Sequence, residues 1–363
     1  MEIQKIRIDQ AKPGMRLAED VYTGKNELVL VANTVLDEQM IARFRQYGIY
    51  RFAVYLDEKE AKELREEDAN QEATTKEKIR KSEEFVEFKR GFEDTVGGLK
   101  KSFGRILEHN DMGGLLQVSA QIDEIMKDKN GALHIMDMLN CMREYDDVTF
   151  AHSISVSLLS RLIGEWLHVS ERDAHTLTMC GLLHDIGKLQ IPNEIISKPG
   201  KLTDSEYAIV QQHPKLGYQL LKNQELDERV KIAALYHHER CDGKGYPLHR
   251  NGRDIELFSK IVMVADVYDA MTADRSYRAG MCPVKVLDIL QEDGYEKYDA
   301  AVLLTFLEKT MQSYIHSTVE LSDQRIGEIV SLNQTALTRP LVRVSDTFVD
   351  LTKEKDLKIV KIL

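Results

Sequence analysis

The chain has 363 residues, with 49 Lys plus Arg against 60 Asp plus Glu, a formal charge of −11 and 43% hydrophobic residues. That length passes the roughly 250–300 residues at which a single core stops growing, so two or three domains are expected. The acidic balance argues against a general nucleic-acid or membrane-surface binder, which needs a broad basic face, and any anionic ligand must meet local positive charge. The four cysteines, Cys141, Cys180, Cys241 and Cys282, form no C-x-x-C pair. Neither a disulfide framework nor a zinc finger is suggested, and a reduced cytosol fits best. The N-terminus, MEIQKIRIDQ, has no basic and then apolar leader pattern. No apolar run approaches the roughly 18–20 residues that span a bilayer, so a cytoplasmic protein without membrane insertion is expected.

Residues 1–56 carry short runs, IQKIRI, ELVLVA and YRFAVY, separated by Pro13-Gly14 and Gly24-Lys25-Asn26. This is strand composition with turn punctuation, and a helix is expected near Asp37–Gln46. The segment reads as a small α+β module. Residues 57–98 open as a mixed-sign charge run rich in helix formers, expected to be a solvated helical linker or partly disordered. Residues 99–317 are mainly helical in pattern, with apolar residues at three- and four-residue spacings such as Ile154, Leu158, Leu162 and Trp166. Residues 318–363 return to strand-like runs (EIVSLN, LVRVSD, LKIVKIL) around Pro340, a small β appendage. No period of 20–50 residues repeats, so a solenoid is not supported. The expected fold class is therefore α+β multidomain, an all-α central domain with a small module on each side.

The chemistry concentrates in the helical part. His152, His184, His213, His237 and His238 have contexts that single them out, with Asp185 directly after His184 and Asp266 downstream in KIVMVADVYDA. A lone histidine on a helix is ordinarily a packed residue, but such residues from separate helices can converge on one point and build a metal site. LLHDIGK places His184 and Asp185 at the inner end of a helix, with Lys188 three residues beyond Asp185 and near the same face. ALYHHER supplies two consecutive histidines, whose side chains diverge by about 100° around a helix, so that one can bind metal while the other binds a second ion or packs. Imidazole and carboxylate ligands without thiolate suit Fe, Mn, Ni, Co or Zn better than calcium. Two such ions roughly 3.5–4 Å apart would activate a shared water and neutralise a phosphate oxygen, so phosphoester hydrolysis is the natural reaction. No G-x-S-x-G, G-x-x-x-x-G-K-[ST] or G-x-G-x-x-G string is present, which removes the nucleophilic-serine and nucleotide-loop readings. Asp242, Gly243, Lys244 and Gly245 form a tight loop through which backbone and Tyr246 could approach a ligand, with Pro247 stiffening its exit.

Across roughly residues 140–315, His184-Asp185, His213, His237-His238, the Asp242-to-Pro247 string and Asp266 closely resemble the HD-GYP family, a bacterial subgroup of the HD phosphohydrolases. The resemblance implies an all-helical HD-type domain holding two or three metals, often iron or manganese, that hydrolyses cyclic di-GMP. It also implies His152, His184, Asp185, His213, His237, His238 and Asp266 as metal ligands, with Asp185 bridging. Lys188 matches the lysine that contacts the scissile phosphate, and His184, Asp185 and Lys188 are the implied catalytic set. Asp242, Gly243, Gly245 and Tyr246 belong to the implied substrate loop. Arg275 and Arg278, nine and twelve residues after Asp266, fall where the family places basic residues against the substrate's phosphates.

Three-metal members carry a glutamate one turn before the first histidine, where this chain has Val148. Valine cannot ligate and the neighbouring Asp147 is one residue off the helical register, so two ions are expected. The implied partner is cyclic di-GMP, cleaved to pGpG and on to GMP or not, in bacterial signalling. Two alternatives stand beside it: another cyclic dinucleotide such as cyclic GMP-AMP, and a catalytically weak cyclic-dinucleotide effector. Oligomeric state is open, with a homodimer or a signalling partner protein compatible, and the N-terminal module is equally open to regulation or structural support.

Overall fold

In the N-terminal segment the strand-like runs pair with one another. The computed structural model describes residues 2–8, 10–23, 28–47, 49, 51–57, 60, 79–127, 132–142, 148–198, 200–273, 280–345 and 347–363. Strand β1 (Glu2–Arg7) runs antiparallel to β5 (Arg51–Leu56), with Glu2 opposite Leu56 and Arg7 opposite Arg51. The short β2 (Arg16–Leu17) takes the other side of β5, and β3 (Val21–Tyr22) and β4 (Leu28–Leu30) form a separate ladder. Phe52, Val54 and Leu56 alternate inward along β5 and are covered by α1 (Glu38–Gln46), whose Phe44 ring meets Phe52 edge-on at 4.8 Å. This module has its own core, separate from that of the helices.

The expected linker is corrected in its second half. Helix α2 (Glu83–His109) crosses the boundary drawn at residue 98. The Ser82 hydroxyl caps it by accepting the Phe85 N–H at 3.1 Å, and it ends at Asn110 in the left-handed region. Phe85, Phe88, Phe92, Val96, Leu99, Phe103 and Ile106 recur every three or four residues and are all buried in the main core. Glu83, Glu84, Glu87, Lys89, Arg90 and Glu93 lie on the exposed side. The charge run is one face of a packed helix. Residues 58, 59 and 61–78 of the expected linker lie outside the described residues.

The helical body continues with α3 (Gly113–Met126), α4 (Ala132–Cys141), α5 (Val148–Trp166) and α6 (Glu171–Leu183). A 3-10 turn, Ile186–Gln190, leads to α7 (Asn193–Ile196), α8 (Asp204–Val210), α9 (His213–Leu221) and α10 (Glu228–Tyr236). The last three helices are α11 (Leu257–Thr272), α12 (Pro283–Lys297) and α13 (Ala300–Ser313). Ile154, Val156, Leu158, Leu159, Leu162 and Ile163 bury α5 on nearly every side, which marks it as a central helix. Helices α6 and α11 pack against it.

At the C-terminus β6 (Thr318–Leu321), β7 (Ile326–Asn333), β8 (Ala336–Val344), β9 (Thr347–Asp350) and β10 (Ile359–Ile362) form an antiparallel sheet ordered β10-β6-β7-β8-β9. Its inward residues, among them Val319, Leu321, Ile329, Val342 and Val344, join the same core as the helices. Asp288 on α12 clamps it in place, accepting from the Thr338 hydroxyl at 2.9 Å and the Lys358 ammonium at 2.9 Å. The sheet is an integral layer of the central body rather than a separate appendage. Among the described residues, no helix is long and apolar enough to cross a membrane.

Candidate metal centre

Each histidine is presented by a helix end or a buried helix face. His152 lies on α5, His184 caps the C-terminus of α6 with Asp185 immediately after it, and His213 opens α9. His237 caps α10 and His238 follows in the turn, while Asp266 lies on α11. The 3-10 turn comes so close to α9 at Gly187 that a Cβ there would fall 2.0 Å from the His213 carbonyl oxygen. Only glycine permits that approach, and it brings Asp185 and His213 together.

Asp185 is the hub. Its Oδ1 lies 3.2 Å from His213 Nε2 and 3.6 Å from His237 Nε2, whereas its Oδ2 lies 3.3 Å from His184 Nε2 and 3.7 Å from His152 Nε2. Two ligand groups result, Asp185 with His213, His237 and His238, and Asp185 with His152 and His184. Asp266 faces both, with Oδ1 3.0 Å from His152 Nε2 and Oδ2 3.8 Å from His238 Nδ1. The expectation that His237 and His238 diverge gives way to a different geometry, because α10 stops at Tyr236 and both rings turn toward one group.

The polar atoms at the centre call for cations. His184 Nε2 and Asp185 Oδ1 are buried without a hydrogen-bond partner, an arrangement that costs about 1–3 kcal/mol per group unless another species satisfies it. His184 Nδ1 donates to the Gly181 carbonyl at 2.7 Å, His213 Nδ1 to that of Val210 at 2.7 Å, and His237 Nδ1 to that of Ala234 at 3.0 Å. Each Nε2 therefore offers a lone pair, and those of His213 and His237 face one another at 3.0 Å. Two opposed lone pairs repel unless a cation lies beside them. The donor set fits one or two divalent transition-metal ions.

Electrostatics keeps His237, His238 and the two carboxylates ready as donors. Burial pushes the His237 imidazole down to about 4, and pushes His238 well below the usual histidine range, so both are neutral at pH 7. Burial would raise the Asp185 carboxyl, but the Lys188 ammonium is the largest influence opposing it and the group stays well below the usual carboxylate range. Asp266 is likewise lowered, with His152 the main influence opposing burial. For His152, burial acts downward, while Asp266 and Asp269 more than offset it and raise the group to about 9. The same two carboxylates attract a cation at that ring.

Lys188, in the 3-10 turn, places its ammonium on Asp185 Oδ2 with about a quarter of its side chain exposed. The Tyr246 ring stacks on His238 at 4.7 Å and 27°, at the rim of the centre. Asp242 turns inward to its own loop, held by the Arg240 guanidinium and accepting the Lys244 N–H at 3.1 Å. Gly243 has φ +74°, and a Cβ at Gly245 would meet the Glu239 and Arg240 backbone at 2.4 Å. Asp242, Gly243 and Gly245 thus shape the loop that carries Tyr246. Arg275, Arg278 and Asp147 lie outside the described residues, as does the side chain of Val148.

Two residues were given no role from the sequence. Glu239 is buried, and its carboxylate accepts the Leu248 N–H at 2.6 Å and the Arg250 N–H at 2.8 Å, closing the loop behind Tyr246. Asp269 accepts from His152 Nδ1 at 2.7 Å. The available signal for Asp269 was its spacing, three residues after Asp266 and so on the same helix face.

A helical body in which a His-Asp pair joins five further candidate ligands is the pattern of an HD domain, and residues 132–302 match the family model described as HD domain. The matched domain, with its paired histidines and the Gly245-Tyr246-Pro247 loop, is an HD domain of the HD-GYP type. It is 33% identical over 205 residues to a cyclic di-GMP phosphodiesterase of Pseudomonas aeruginosa, covering 56% of this chain and 49% of that protein. It is 40% identical over 151 residues to the 3′3′-cGAMP-specific phosphodiesterase 3 of Vibrio cholerae, covering 42% of this chain and 33% of that protein. The chain thus spans about half or less of the length of these curated relatives. A solved structure of an HDG"Y"P protein from Bdellovibrio bacteriovorus superposes with a TM-score of 0.51 at 15% identity, over 84% of this chain and 98% of that one, and shares the fold.

Proposed function

We propose that the chain is a metal-dependent phosphodiesterase that opens cyclic di-GMP to the linear pGpG, lowering a bacterial second messenger. The observation that carries this reading is the shared carboxylate: each oxygen of Asp185 faces a different imidazole group, so one residue can bridge two ions. His152, His184 and Asp185 would hold one ion, and Asp185, His213, His237 and His238 the other, with Asp266 reaching both. Iron and manganese suit this nitrogen and carboxylate set. When bound, such a pair supplies Lewis acidity, lowering the pKa of a water and neutralising charge on a phosphate.

The chain's own groups complete the chemistry. Lys188 stands beside Asp185 with its ammonium partly open to solvent, within reach of a phosphate oxygen placed over the centre. Its positive charge would stabilise the developing phosphorane oxygens. Burial raises the Tyr246 phenol, so it stays protonated and able to donate a hydrogen bond from the rim. Arg275 and Arg278 are proposed to hold the substrate's second phosphate by charge-assisted hydrogen bonds.

Relatives named for cyclic di-GMP and for 3′3′-cGAMP both match this chain. The second supports a parallel reading in which the hybrid dinucleotide is the substrate. Hydrolysis of cyclic di-GMP, 3′3′-cGAMP and a set of dNTPs by metal-reconstituted protein separates them. The expected result is turnover fastest with cyclic di-GMP and absent for dNTPs, abolished in His184→Ala and Asp185→Ala. Tight binding of cyclic di-GMP without product would make the chain an effector instead.

A further inference from the structure

The imidazoles of the centre are not supported alike. His184, His213 and His237 each lean on a backbone carbonyl three or four residues earlier. His152 leans on a carboxylate: Asp269 Oδ2 lies 2.7 Å from its Nδ1, while its Nε2 points to Asp266 Oδ1 at 3.0 Å and Asp185 Oδ2 at 3.7 Å. Asp269 is only 15% exposed, and it sits one turn beyond Asp266 on α11, so a single rigid helix delivers a ligand carboxylate and the support for a ligand histidine. A hydrogen bond from imidazole to carboxylate is charge-assisted and stronger than one to a carbonyl. It fixes the tautomer and the ring plane, and it raises the basicity of the far nitrogen.

We infer that Asp269 is a positioning residue for one ion of the pair: through His152 it holds the ion shared by His152, His184 and Asp185, and not the ion shared by Asp185, His213, His237 and His238. The inference rests on the two-ion reading above. The competing role is a plain strut between α5 and α11, whose loss would loosen the fold and weaken both ions together.

The two roles separate in a titration of the full chain with Co²⁺, counting bound ions by equilibrium dialysis and following the visible absorption of the bound cobalt. The variants are Asp269→Ala, which removes acceptor and charge, and Asp269→Asn, which keeps a carbonyl acceptor without the charge. Wild type is expected to bind two ions. Asp269→Ala is expected to keep one at wild-type affinity and to bind the other about 10–100-fold more weakly. Asp269→Asn should fall between them, and the cobalt spectrum should lose the component of one site only. Two ions held at wild-type affinity in Asp269→Ala would overturn the inference, as would equal weakening of both with a lowered melting temperature. Should Asp269→Ala fail to fold, the near-isosteric Asp269→Asn decides by the same criterion. Fewer than two ions in wild type would overturn the two-ion reading itself.

Discussion

Glu239 shows how a residue far from any ligand role governs the rim of the centre. Its buried carboxylate has two backbone N–H groups to satisfy, those of Leu248 and Arg250, and no other described group replaces it there. In Glu239→Gln one oxygen becomes an NH₂ that faces an N–H, so a buried donor is left unpaired. The expected cost is about 1–3 kcal/mol in urea unfolding, with weaker cyclic di-GMP binding because the loop carrying Tyr246 loosens. Unchanged stability in this variant would contradict the role given to the carboxylate. At this scale the candidate ligands were legible in the chain because rare residue types stood at telling spacings: His184-Asp185, His237-His238 and Asp266. Glu239 and Asp269 were not, since acidic residues near a helix end are common and only packing shows which of them face a backbone N–H or an imidazole.

At the scale of elements, charge misled where periodicity did not. Residues 83–94 carry seven ionisable side chains, and that density suggested a solvated linker. Yet Phe85, Phe88 and Phe92 keep the spacing of one helix face, and all three belong to the central core. Phe92→Ala should therefore destabilise the helical body by about 3–5 kcal/mol in chemical denaturation, whereas a solvated linker would tolerate it within about 0.5 kcal/mol. The N-terminal strands were readable because Phe52, Val54 and Leu56 alternate with a period of two. The layering of the C-terminal sheet on α12 and α13 was not, because the contacts that dock it, such as Asp288 with Thr338 and Lys358, join residues 50 and 70 positions apart.

For the molecule as a whole, the formal charge of −11 sets a requirement. The proposed anionic dinucleotide would gain nothing from such a surface, so its attraction would have to come from bound ions, Lys188 and the proposed Arg275 and Arg278. The candidate ligands come from α5, the ends of α6 and α10, the start of α9, and α11, so ions at the centre would tie most of the helical body together. Metal that binds the folded chain and not the unfolded one stabilises it by about 2.7 kcal/mol at a free concentration 100 times the dissociation constant. Chelation should lower the melting temperature of wild type by several degrees and leave that of Asp185→Ala unchanged. Equal responses would place the bound metal elsewhere.

The central claim, that a carboxylate-bridged metal pair in this chain hydrolyses a cyclic dinucleotide, is tested most directly on one sample. Protein purified anaerobically and loaded with Fe²⁺ or Mn²⁺ is incubated with cyclic di-GMP, and bound metal and products are quantified together. The expected result is two ions per chain and linear pGpG accumulating in step with loss of the substrate. Two ions bound with cyclic di-GMP left intact, or hydrolysis that persists in Asp185→Ala, would contradict it.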